Sequence, residues 1–541
     1  MHDVLVVGGG IAGLRAALAA SSHGASVAIA SRAHPTRSYS VAIQDGLNAA
    51  MLPGDAWEAH AADTTAWGDG LCVPEVVDAV CQAAPDVVTE LDQLGVPFNR
   101  NGRNGRNGTE LACLQLRGAK SARATFVEDM SGLVLTQTLY EQAVRAGVTF
   151  YEEWTATSLA VQDGTCTGVV ALELASGVLE VLAAKTVVLA TGGPRRLYEP
   201  STASLHCTGD GIAMAYRAGA PLVDMEFVQY HPAVLKGYRL AITELAWAYG
   251  AALRTAGGTP IGGQDEGPSS FLRAIQAAAD ADGGGVELTG PWDADQTQGF
   301  FYNTWYRVKQ LTGLDMSKEP LPVRPAMHRL LGGIAVDAGG ATAIRGLYAA
   351  GECAGTGLHG AAGLDGNFLL GTVSSGRAAG LAAADHAQTV TATVAADETL
   401  DRDRALVSGA LERGGGEPLA AMRGELAGLM HMKAGNVRDA GGLQEAAQRI
   451  AEMREAYGSM GAGTSGPDYN FGLAQYLDTG CLLDVAEAIV ASALAREESR
   501  GVHYRSDFPA RDDARWGGHQ LVMAGETGPT LRDSPVQGHG P

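Results

Sequence analysis

Apolar positions along the chain fall into runs whose spacing predicts the main elements. Residues 3–7 form a short apolar strand that leads into glycines 8–10, and an Ala/Leu-rich helical stretch follows at 14–20. Residues 185–189 form a second apolar strand that ends in a glycine turn. Later apolar residues recur at helical spacing: Leu426, Leu429, Met430, Ile450, Met453 and Ala456. The pattern therefore predicts an α/β fold first and helices afterwards.

The first turn carries the pattern Gly-x-Gly-x-x-Gly, made by Gly8, Gly10 and Gly13. Between a strand and a helix, the first glycine allows the tight turn and the second lets the backbone approach a pyrophosphate. The third permits close packing of helix on strand. The helix N-terminus offers unpaired N–H groups to the phosphates. We therefore predict a dinucleotide site that includes Ile11 and Ala12 with the three glycines.

Two later strand ends indicate which dinucleotide binds. Thr191 and Gly192 follow the strand at 185–189, and Glu352 follows the apolar residues 347–350. A carboxylate there can accept hydrogen bonds from a sugar or ribityl hydroxyl. An extended FAD needs contacts from several remote segments, whereas a nicotinamide enzyme can work with one such turn. The three segments together predict FAD; the alternative is three ordinary buried strands that end in glycine.

Composition and charge narrow the class of protein. The 541 residues are 46% hydrophobic and 18% charged, which is typical of a folded protein of several domains. A net charge of −21 without a basic cluster argues against a nucleic-acid partner. No apolar run reaches the roughly 18–20 residues of a membrane span. The seven cysteines form no C-x-x-C pair, so we expect no metal site, reduced thiols and a cytoplasmic location without membrane insertion.

The ordered motifs resemble the flavoprotein subunits of succinate dehydrogenase and fumarate reductase, a group that includes L-aspartate oxidase. The matching segments cover nearly the whole chain: 34–38, 44–50, 67–69, 208–211, 225–232, 242–244, 328, 332–334, 351–353, 359–361, 493–501 and 511–513. The resemblance implies an α/β fold in which a Rossmann-like FAD-binding domain is interrupted by an α+β capping domain. A helical domain would follow it.

The same resemblance divides the chain into domains. The FAD-binding domain would comprise 1–224 and 330–388, and the capping domain, which holds the substrate, would comprise 225–329. A helical domain at 396–500 and a C-terminal tail at 501–541 would follow. From residue 525 the tail is rich in Gly and Pro without periodicity, which predicts loose order. Further FAD-binding residues are expected at Ser31, Arg32, Arg37, Ser38, Tyr39, Gln44, Gly46, Asp210, Gly351, Asn367, Phe368 and Leu369, beside Thr191, Gly192 and Glu352.

The first departure from the family pattern concerns how the flavin is held. Respiratory members carry a histidine that is covalently joined to the flavin within an Arg-Ser-His-Thr segment. Here the segment reads Arg37-Ser38-Tyr39-Ser40, so the ring nitrogen for that bond is missing. We therefore expect non-covalent FAD; a tyrosyl link through Tyr39 is the alternative.

The other departures remove two arginines. The family's proton-shuttling arginine lies in a Ser-Arg-Asp segment that corresponds here to Gly267-Pro268-Ser269, and proline cannot transfer a proton. The family's substrate-clamping arginine corresponds to Gly363, and Asp365 nearby would repel an anion. A bidentate contact between arginine and a carboxylate is worth about 2–3 kcal/mol when buried. Its loss argues against ordinary succinate or fumarate chemistry.

A partial active site remains. His231, Thr243, Glu244 and His328 stand where family members contact substrate. One histidine in an apolar run would be structural, but two at family substrate positions favour catalysis. Imidazole suits proton transfer near neutral pH, so His231 or His328 is expected to be the base. Tyr249 is a candidate acid, and three cationic side chains could replace the lost charge: Arg329, Arg324 and Lys236.

These features predict an FAD-dependent oxidoreductase that acts on a small carboxylic or amino acid other than ordinary succinate or fumarate. Desaturation and amine oxidation both remain open, and so does the electron acceptor, either a partner protein or O2. One alternative is a genuine succinate dehydrogenase or fumarate reductase subunit, in which Arg329 and Arg254 restore the lost functions. Another is a catalytically silent flavoprotein subunit of a complex.

Overall fold

A computed structural model describes the chain except for residues 102–107, 264–265, 283–284, 392–396, 414–416, 527 and 536–541. Residue 396, the expected start of the helical domain, and residues 527 and 536–541 of the expected tail lie outside the described residues. The described strands are β1 (His2–Val7), β2 (Val27–Ser31), β3 (Leu47–Asn48), β4 (Cys113–Leu114), β5 (Ala124–Thr125), β6 (Thr149–Glu152), β7 (Trp154–Gln162), β8 (Thr165–Glu173), β9 (Leu179–Leu189), β10 (Leu222–Val223), β11 (Val228–Leu235), β12 (Ala252–Thr255), β13 (Pro260–Ile261), β14 (Val286–Thr289), β15 (Leu321–Leu330), β16 (Gly333–Ala335), β17 (Leu347–Ala349), β18 (Ala354–Gly355), β19 (His519–Met523) and β20 (Thr530–Ser534).

The described α-helices begin and end at the following residues: α1 (Ile11–Ser22), α2 (Trp57–Trp67), α3 (Pro74–Gln93), α4 (Ser131–Arg145), α5 (Asp210–Arg217), α6 (Leu245–Ala248), α7 (Pro268–Asp282), α8 (Ala294–Phe300), α9 (Tyr302–Thr312), α10 (Asn367–Thr389), α11 (Asp397–Arg413), α12 (Glu417–Lys433), α13 (Ala440–Tyr457), α14 (Phe471–Ala495) and α15 (Asp513–Trp516). No helix among them combines the length and apolarity that a membrane crossing needs.

A seven-stranded sheet forms the centre of the α/β part. Its strand order is β6-β2-β1-β9-β8-β7, and β17 also pairs with β9. The pairs of β1 with β2, β1 with β9, and β17 with β9 are parallel, so the carboxyl ends of these strands meet at one edge. In open α/β sheets this edge is where ligands bind. The α/β fold expected from the sequence is confirmed.

Helices α1 and α10 pack closely beside this sheet. A Cβ atom at Gly376 would lie 2.5 Å from the carbonyl oxygen of Ala12, and one at Gly380 would lie 2.2 Å from that of Ala16. Only glycine lets α10 approach the backbone of α1 this closely. The contact fixes the start of α1, and with it the turn at residues 8–10, against the rest of the fold.

A second, antiparallel sheet holds the strands of the expected capping domain. Its order is β11-β15-β14-β12-β13, and helices α7, α8 and α9 belong to the same stretch of chain. These elements lie between residues 228 and 330, almost the range 225–329 assigned to the capping domain. The exact division into domains stays a prediction.

Helices α11 to α14 follow, in the region expected to be helical. The apolar residues Leu426, Leu429, Met430, Ile450 and Met453 are buried there, whereas Ala456 is exposed at the end of α13. The helical period is correct, but the stripe ends one turn earlier than the sequence predicts.

The expectation of a loosely ordered tail is wrong for residues 530–534. They form β20, which pairs with β19 in register from His519 with Ser534 to Met523 with Thr530. β19 in turn pairs with β10, so the hairpin extends the sheet β18-β16-β10-β19-β20. Backbone hydrogen bonds to an existing strand order this segment despite its weak side-chain pattern.

Candidate active site

A cleft with an empty volume of about 1000 Å³ opens at the carboxyl ends of β1, β9 and β17. Most of the residues expected to bind FAD line it: Gly8, Gly10, Ile11, Ala12, Ser31, Arg32, Ser38, Tyr39, Thr191, Gly192, Asp210, Gly351 and Glu352.

The glycine turn has the geometry that its sequence predicts. Gly8 adopts φ +113°, and a Cβ atom there would lie 2.3 Å from the carbonyl oxygen of Ala190. A Cβ atom at Gly13 would lie 1.9 Å from the carbonyl oxygen of Gly8. Gly13 therefore holds α1 against the turn but does not line the cleft, and the N-terminus of α1 faces the space where a diphosphate would bind.

The other residues expected to bind FAD do not line the cleft. Arg37 is exposed, Gln44 and Leu369 are buried, and Gly46 packs against the carbonyl oxygen of Thr125. The Asn367 side chain is held by hydrogen bonds to Asn48, His60 and Thr64. Phe368 lies beneath the guanidinium of Arg329, 4.1 Å from it. Asn367 and Leu369 are buried and pack within the fold at the start of α10.

The polar atoms of the cleft suit a cofactor such as FAD. Ser38 Oγ and Thr191 Oγ1 are buried without a hydrogen-bond partner, and such atoms in native proteins normally have one. Arg32 lies between Asp210, at 3.5 Å, and Asp478. Sequence reasoning missed other lining residues: Trp154, Ala156, Arg195, His206 and Thr372. Only Arg195 carried a signal, as a charge just after the glycine turn at 192–193.

Arg195 fixes the position of Tyr39. Its guanidinium lies 4.0 Å over the Tyr39 ring and pairs with Glu352, so Glu352 has a protein partner as well as a place in the cleft. The Tyr39 hydroxyl lies 3.0 Å from Thr202 Oγ1. Burial raises the pKa of Tyr39, against the opposing effect of Arg195, so its phenol is neutral near pH 7.

Two neighbouring strands bring the candidate catalytic histidines together. His231 lies on β11 and His328 on β15, with ring centroids 5.2 Å apart. The register shifts between Gln229 and Tyr230, because Gln229 pairs with Arg329 while Tyr230 pairs with Met327. His328 is the extra residue of this bulge, and such irregularities commonly redirect a side chain at an active site.

Both ring nitrogens of His231 have protein partners. Nδ1 accepts a hydrogen bond from the Ala233 N–H at 3.1 Å, and Nε2 lies 3.0 Å from Glu244 Oε1. These partners assign the proton to Nε2, which donates to the carboxylate. His231 therefore has no nitrogen left for a substrate in this arrangement.

His328 is held by one nitrogen. Its Nδ1 lies 2.9 Å from Thr202 Oγ1, the same hydroxyl that meets Tyr39. Burial, with Arg329, His231 and Arg195 nearby, holds the pKa of His328 well below its usual range. The ring is therefore neutral near pH 7 and is better suited to hydrogen bonding than to taking up a proton.

Arg117, which no sequence pattern indicates, lies among the same buried side chains. These side chains are called the cluster below: Asp45, Arg117, His231, Glu244, His328, Arg329 and Asp365. Arg117 is almost fully buried; its Nε lies 3.0 Å from Asp365 Oδ2, and its Nη2 lies 3.8 Å from Glu244 Oε1. It stands in the turn between β4 and β5. The next residue, Gly118, has φ +85°, and a Cβ atom there would lie 2.7 Å from Leu364. This close approach puts Arg117 beside Asp365, a contact across 248 positions that no local pattern indicates.

Gly363 and Pro268 stand at the positions of the two absent family arginines. A Cβ atom at Gly363 would lie 2.1 Å from the Phe368 ring, and the Gly363 N–H and carbonyl are bound to Gln229 and Trp67. An arginine at 363 could not fit unless Phe368 moved. Pro268 is the first residue of α7 and lines a separate cleft with Arg273 and Arg500.

Of the cations expected to replace the lost charge, only Arg329 reaches the cluster in the described structure. Its Nη2 lies 3.3 Å from Asp45 Oδ2, and it lines the cofactor cleft. Arg324 pairs with Glu199 and Arg254 with Glu287, both at partly exposed positions, and Lys236 is exposed.

The two remaining candidates have different positions. Thr243 is buried beside Glu244, where its hydroxyl accepts a hydrogen bond from the Leu245 N–H at 3.3 Å. Tyr249 instead stacks on Phe300, with ring centroids 5.0 Å apart, and packs edge-on against Phe301. None of its described contacts is with the histidines, and burial raises the pKa of its phenol.

The carboxyl groups of the cluster titrate differently. Burial raises the pKa of Asp365 to about 7. The negative charges of Glu244 and Asp45 add to this rise, and the positive charge of Arg117 opposes it. Burial also raises the pKa of Asp45, which Arg329 opposes. Burial acts likewise on Glu244, but His231 and Arg117 prevail and lower its pKa to about 2. Glu244 is therefore ionised at neutral pH, whereas Asp365 exists in both forms.

Comparison with known proteins places this chain in a family. Residues 3–369 match the family model of the FAD binding domain, and residues 423–539 match that of the fumarate reductase flavoprotein C-terminus. The fumarate reductase flavoprotein subunit of Mycobacterium tuberculosis is 36% identical, over 98% of this chain and 96% of its own length. The succinate dehydrogenase flavoprotein subunit of Rickettsia bellii is 33% identical, over 98% of this chain and 94% of its own.

A solved structure agrees with these relatives. The quinol fumarate reductase of Escherichia coli has a TM-score of 0.91 and 32% identity, over 99% of this chain and 97% of that chain. The chain thus belongs to the FAD-dependent oxidoreductases of the succinate dehydrogenase/fumarate reductase flavoprotein family.

Proposed function

We propose that this protein exchanges two electrons between FAD and a small carboxylic or amino acid other than ordinary succinate or fumarate. The observation that carries this proposal is the blocked position 363. Phe368 fills the space that an arginine side chain would need there, and Asp365 adds an acidic group close by. A second carboxylate of a substrate would meet acidic groups at this end of the cluster.

The relatives favour a second candidate, the succinate/fumarate couple itself. Those named above are fumarate reductase and succinate dehydrogenase subunits, and their names support this candidate more than an altered substrate. Under this candidate Arg117 and Arg329 would supply the cationic groups, because both side chains are buried, Arg117 against Glu244 and Arg329 next to His328. Arg254, the other arginine named for this candidate, is paired with Glu287 at a partly exposed position.

The residues of the cluster divide the work of the reaction. Bound FAD would supply the two-electron chemistry. The His231–Glu244 pair acts by position, since both nitrogens of His231 are engaged. His328 directs its second nitrogen to the substrate as a neutral ring. Asp365, rather than a histidine, has the pKa best matched to proton transfer near neutral pH.

The state of the flavin follows from Tyr39. Its hydroxyl is engaged with Thr202 and its phenol is neutral near pH 7. Both facts support a non-covalent FAD. Precipitation with acid should release the FAD into the supernatant; FAD that stays with the protein pellet would contradict this part of the proposal.

The electron acceptor is proposed from the relatives. They are named as flavoprotein subunits, so we extend the proposal to a redox partner protein, with O2 as the alternative. Slow reoxidation of reduced flavin in air, together with co-purification of a redox protein from the native host, is the expected result. Fast reoxidation in air would favour an oxidase. The cytoplasmic location stays a prediction.

The test is anaerobic bleaching of the flavin band near 450 nm by succinate, L-aspartate and a panel of amino, hydroxy and monocarboxylic acids. Bleaching by another acid, with succinate inert, supports the altered substrate. Bleaching by succinate establishes the second candidate instead. If no acid bleaches the flavin and the chemically reduced protein is not reoxidised by fumarate, both candidates fail and a silent flavoprotein subunit remains.

A further inference from the structure

Arg117 is placed to receive an anion. Its guanidinium belongs to a buried row of titratable groups in the order His231, Glu244, Arg117, Asp365. It also lies 5.7 Å from the ring centroid of Phe271 on α7, so one arginine contacts the capping helix and the FAD-binding part together. A guanidinium offers five N–H donors in a plane and suits a carboxylate better than any other side chain.

Another carboxylate can displace Asp365, the acidic partner of Arg117. Asp365 is buried, and its carboxyl is within hydrogen-bonding reach of Glu244 as well as of Arg117. Because Glu244 is ionised, a protonated Asp365 can donate a hydrogen bond to it and leave Arg117 to another carboxylate. Two buried atoms of the cluster, Glu244 Oε2 and Arg329 Nε, also have no hydrogen-bond partner. Buried polar atoms of this kind suit a site that is completed by a ligand.

We propose that Arg117 is the specificity-determining residue that binds the carboxylate of the substrate, in exchange for Asp365. Resting on the function proposed above, this assigns the substrate one carboxylate at Arg117 and a hydrogen-bond-donating group, such as hydroxyl, amide or amine, near Asp365. The arginine comes from the turn between β4 and β5, whereas the family pattern implies one before α10. The site thus gains its cation from a different part of the chain.

Displacement of Asp365 from Arg117 by a ligand carboxylate predicts that ligand binding is coupled to proton uptake. The groups that face Asp365 are Arg117, which favours its ionised form, and Glu244 and Asp45, which oppose it. A bound carboxylate adds another negative charge, so binding is accompanied by uptake of one proton when Asp365 starts ionised. Affinity for a small acid anion should therefore fall as the pH rises above about 7. One coupled proton gives a slope of about tenfold per pH unit.

The experiment measures binding of lactate, L-alanine, acetate and succinate to the FAD-loaded protein from pH 5.5 to 8.5. Two readouts are used, perturbation of the oxidised flavin spectrum and the shift in melting temperature. The wild type should bind lactate or L-alanine more tightly than succinate, and affinity should fall above pH 7. Arg117→Gln should weaken binding about 30-fold or more, the value of a charge-assisted hydrogen bond.

Two further variants separate recognition from folding. Asp365→Asn should keep binding but lose the pH dependence, so that affinity at pH 8.5 approaches that at pH 5.5. Arg117→Gln/Asp365→Asn removes the buried ion pair as a whole and should fold, yet still bind poorly. Arg254→Gln, a partly exposed arginine paired with Glu287, is the matched control and should bind as the wild type does.

The outcomes distinguish this inference from the proposed function. If Arg117→Gln binds acids as tightly as the wild type, or if Asp365→Asn keeps the pH dependence, Arg117 is not the recognition residue, even when acids bleach the flavin. Anion binding that depends on Arg117 without any bleaching supports the inference and contradicts the proposed function. If no acid binds the folded wild type, both are wrong.

Discussion

The cleft that would hold FAD and the cluster of buried titratable side chains adjoin each other, but different parts of the chain form them. The cleft consists largely of backbone turns, such as the glycines at the end of β1 and Thr191 and Gly192 after β9. The cluster consists of side chains from distant segments, with Asp45, Arg117, Glu244, His328 and Asp365 among them. A backbone site tolerates few changes in sequence, whereas a side-chain site can exchange one arginine for another from elsewhere. The FAD-binding domain of the family is matched over residues 3–369, whereas the altered substrate site remains the part of our proposal that rests on side chains.

The largest effect is expected from a change in the backbone site. Gly13→Val would force a side chain into the carbonyl oxygen of Gly8. An overpacking cost on the order of 3 kcal/mol lowers FAD affinity about a hundredfold. FAD content per protein, measured by absorbance after gel filtration, should fall accordingly. Gly428→Ala is the control, because its Cβ would meet nothing within 4 Å, and it should retain full FAD content.

A change in the side-chain site should leave FAD in place. Glu244→Gln removes the charge that joins His231, Arg117 and Asp365. Turnover of the acid identified by flavin bleaching should fall about a hundredfold, within the range of positioned acid–base groups. FAD content should stay that of the wild type. A loss of FAD in this variant would show that the two regions are not separable.

The pH dependence of stability gives a smaller effect in the same region. The pKa of Asp365 is raised in the folded protein, to about 7. A raised carboxyl pKa contributes stability that is fully present below its unfolded value and is lost as the pH rises through the folded value. The melting temperature of the wild type, relative to Asp365→Asn, should therefore fall between pH 5 and pH 8. An unchanged difference would mean that Asp365 is ionised throughout this range.

The smallest effect is expected for Tyr39→Phe. The change removes one hydrogen bond, to Thr202, which is worth about 1 kcal/mol. FAD affinity should fall about fivefold at most, and acid should release the flavin from wild type and variant alike. Release from the variant but not from the wild type would establish a tyrosyl link.

The sequence predicts those parts whose signal is local. The strand at His2–Val7, the glycine turn and helix α1 are adjacent in the chain, so their pattern predicts both fold and cofactor. Loose order at 530–534 was the wrong expectation, because β20 is ordered by pairing with β19 and not by its own side chains.

The proposed substrate site depends on contacts between distant segments, which local sequence patterns do not predict. His231 and His328 are expected from the family resemblance, but the engagement of both nitrogens of His231 depends on Glu244 and the Ala233 N–H. Arg117 lies in an ordinary turn, and its importance comes from the approach of Gly118 to Leu364. The raised pKa of Asp365 results from burial, which no motif reports.

The most direct test of the account is a crystal structure of the FAD-loaded protein with the acid that bleaches its flavin, or with its closest unreactive analogue. We expect a carboxylate of the ligand on the Arg117 guanidinium, the Asp365 side chain turned toward Glu244, and Phe368 still filling the space at Gly363. A ligand whose carboxylates are held by Arg329 and His328 alone, with the Arg117–Asp365 pair intact, would contradict it.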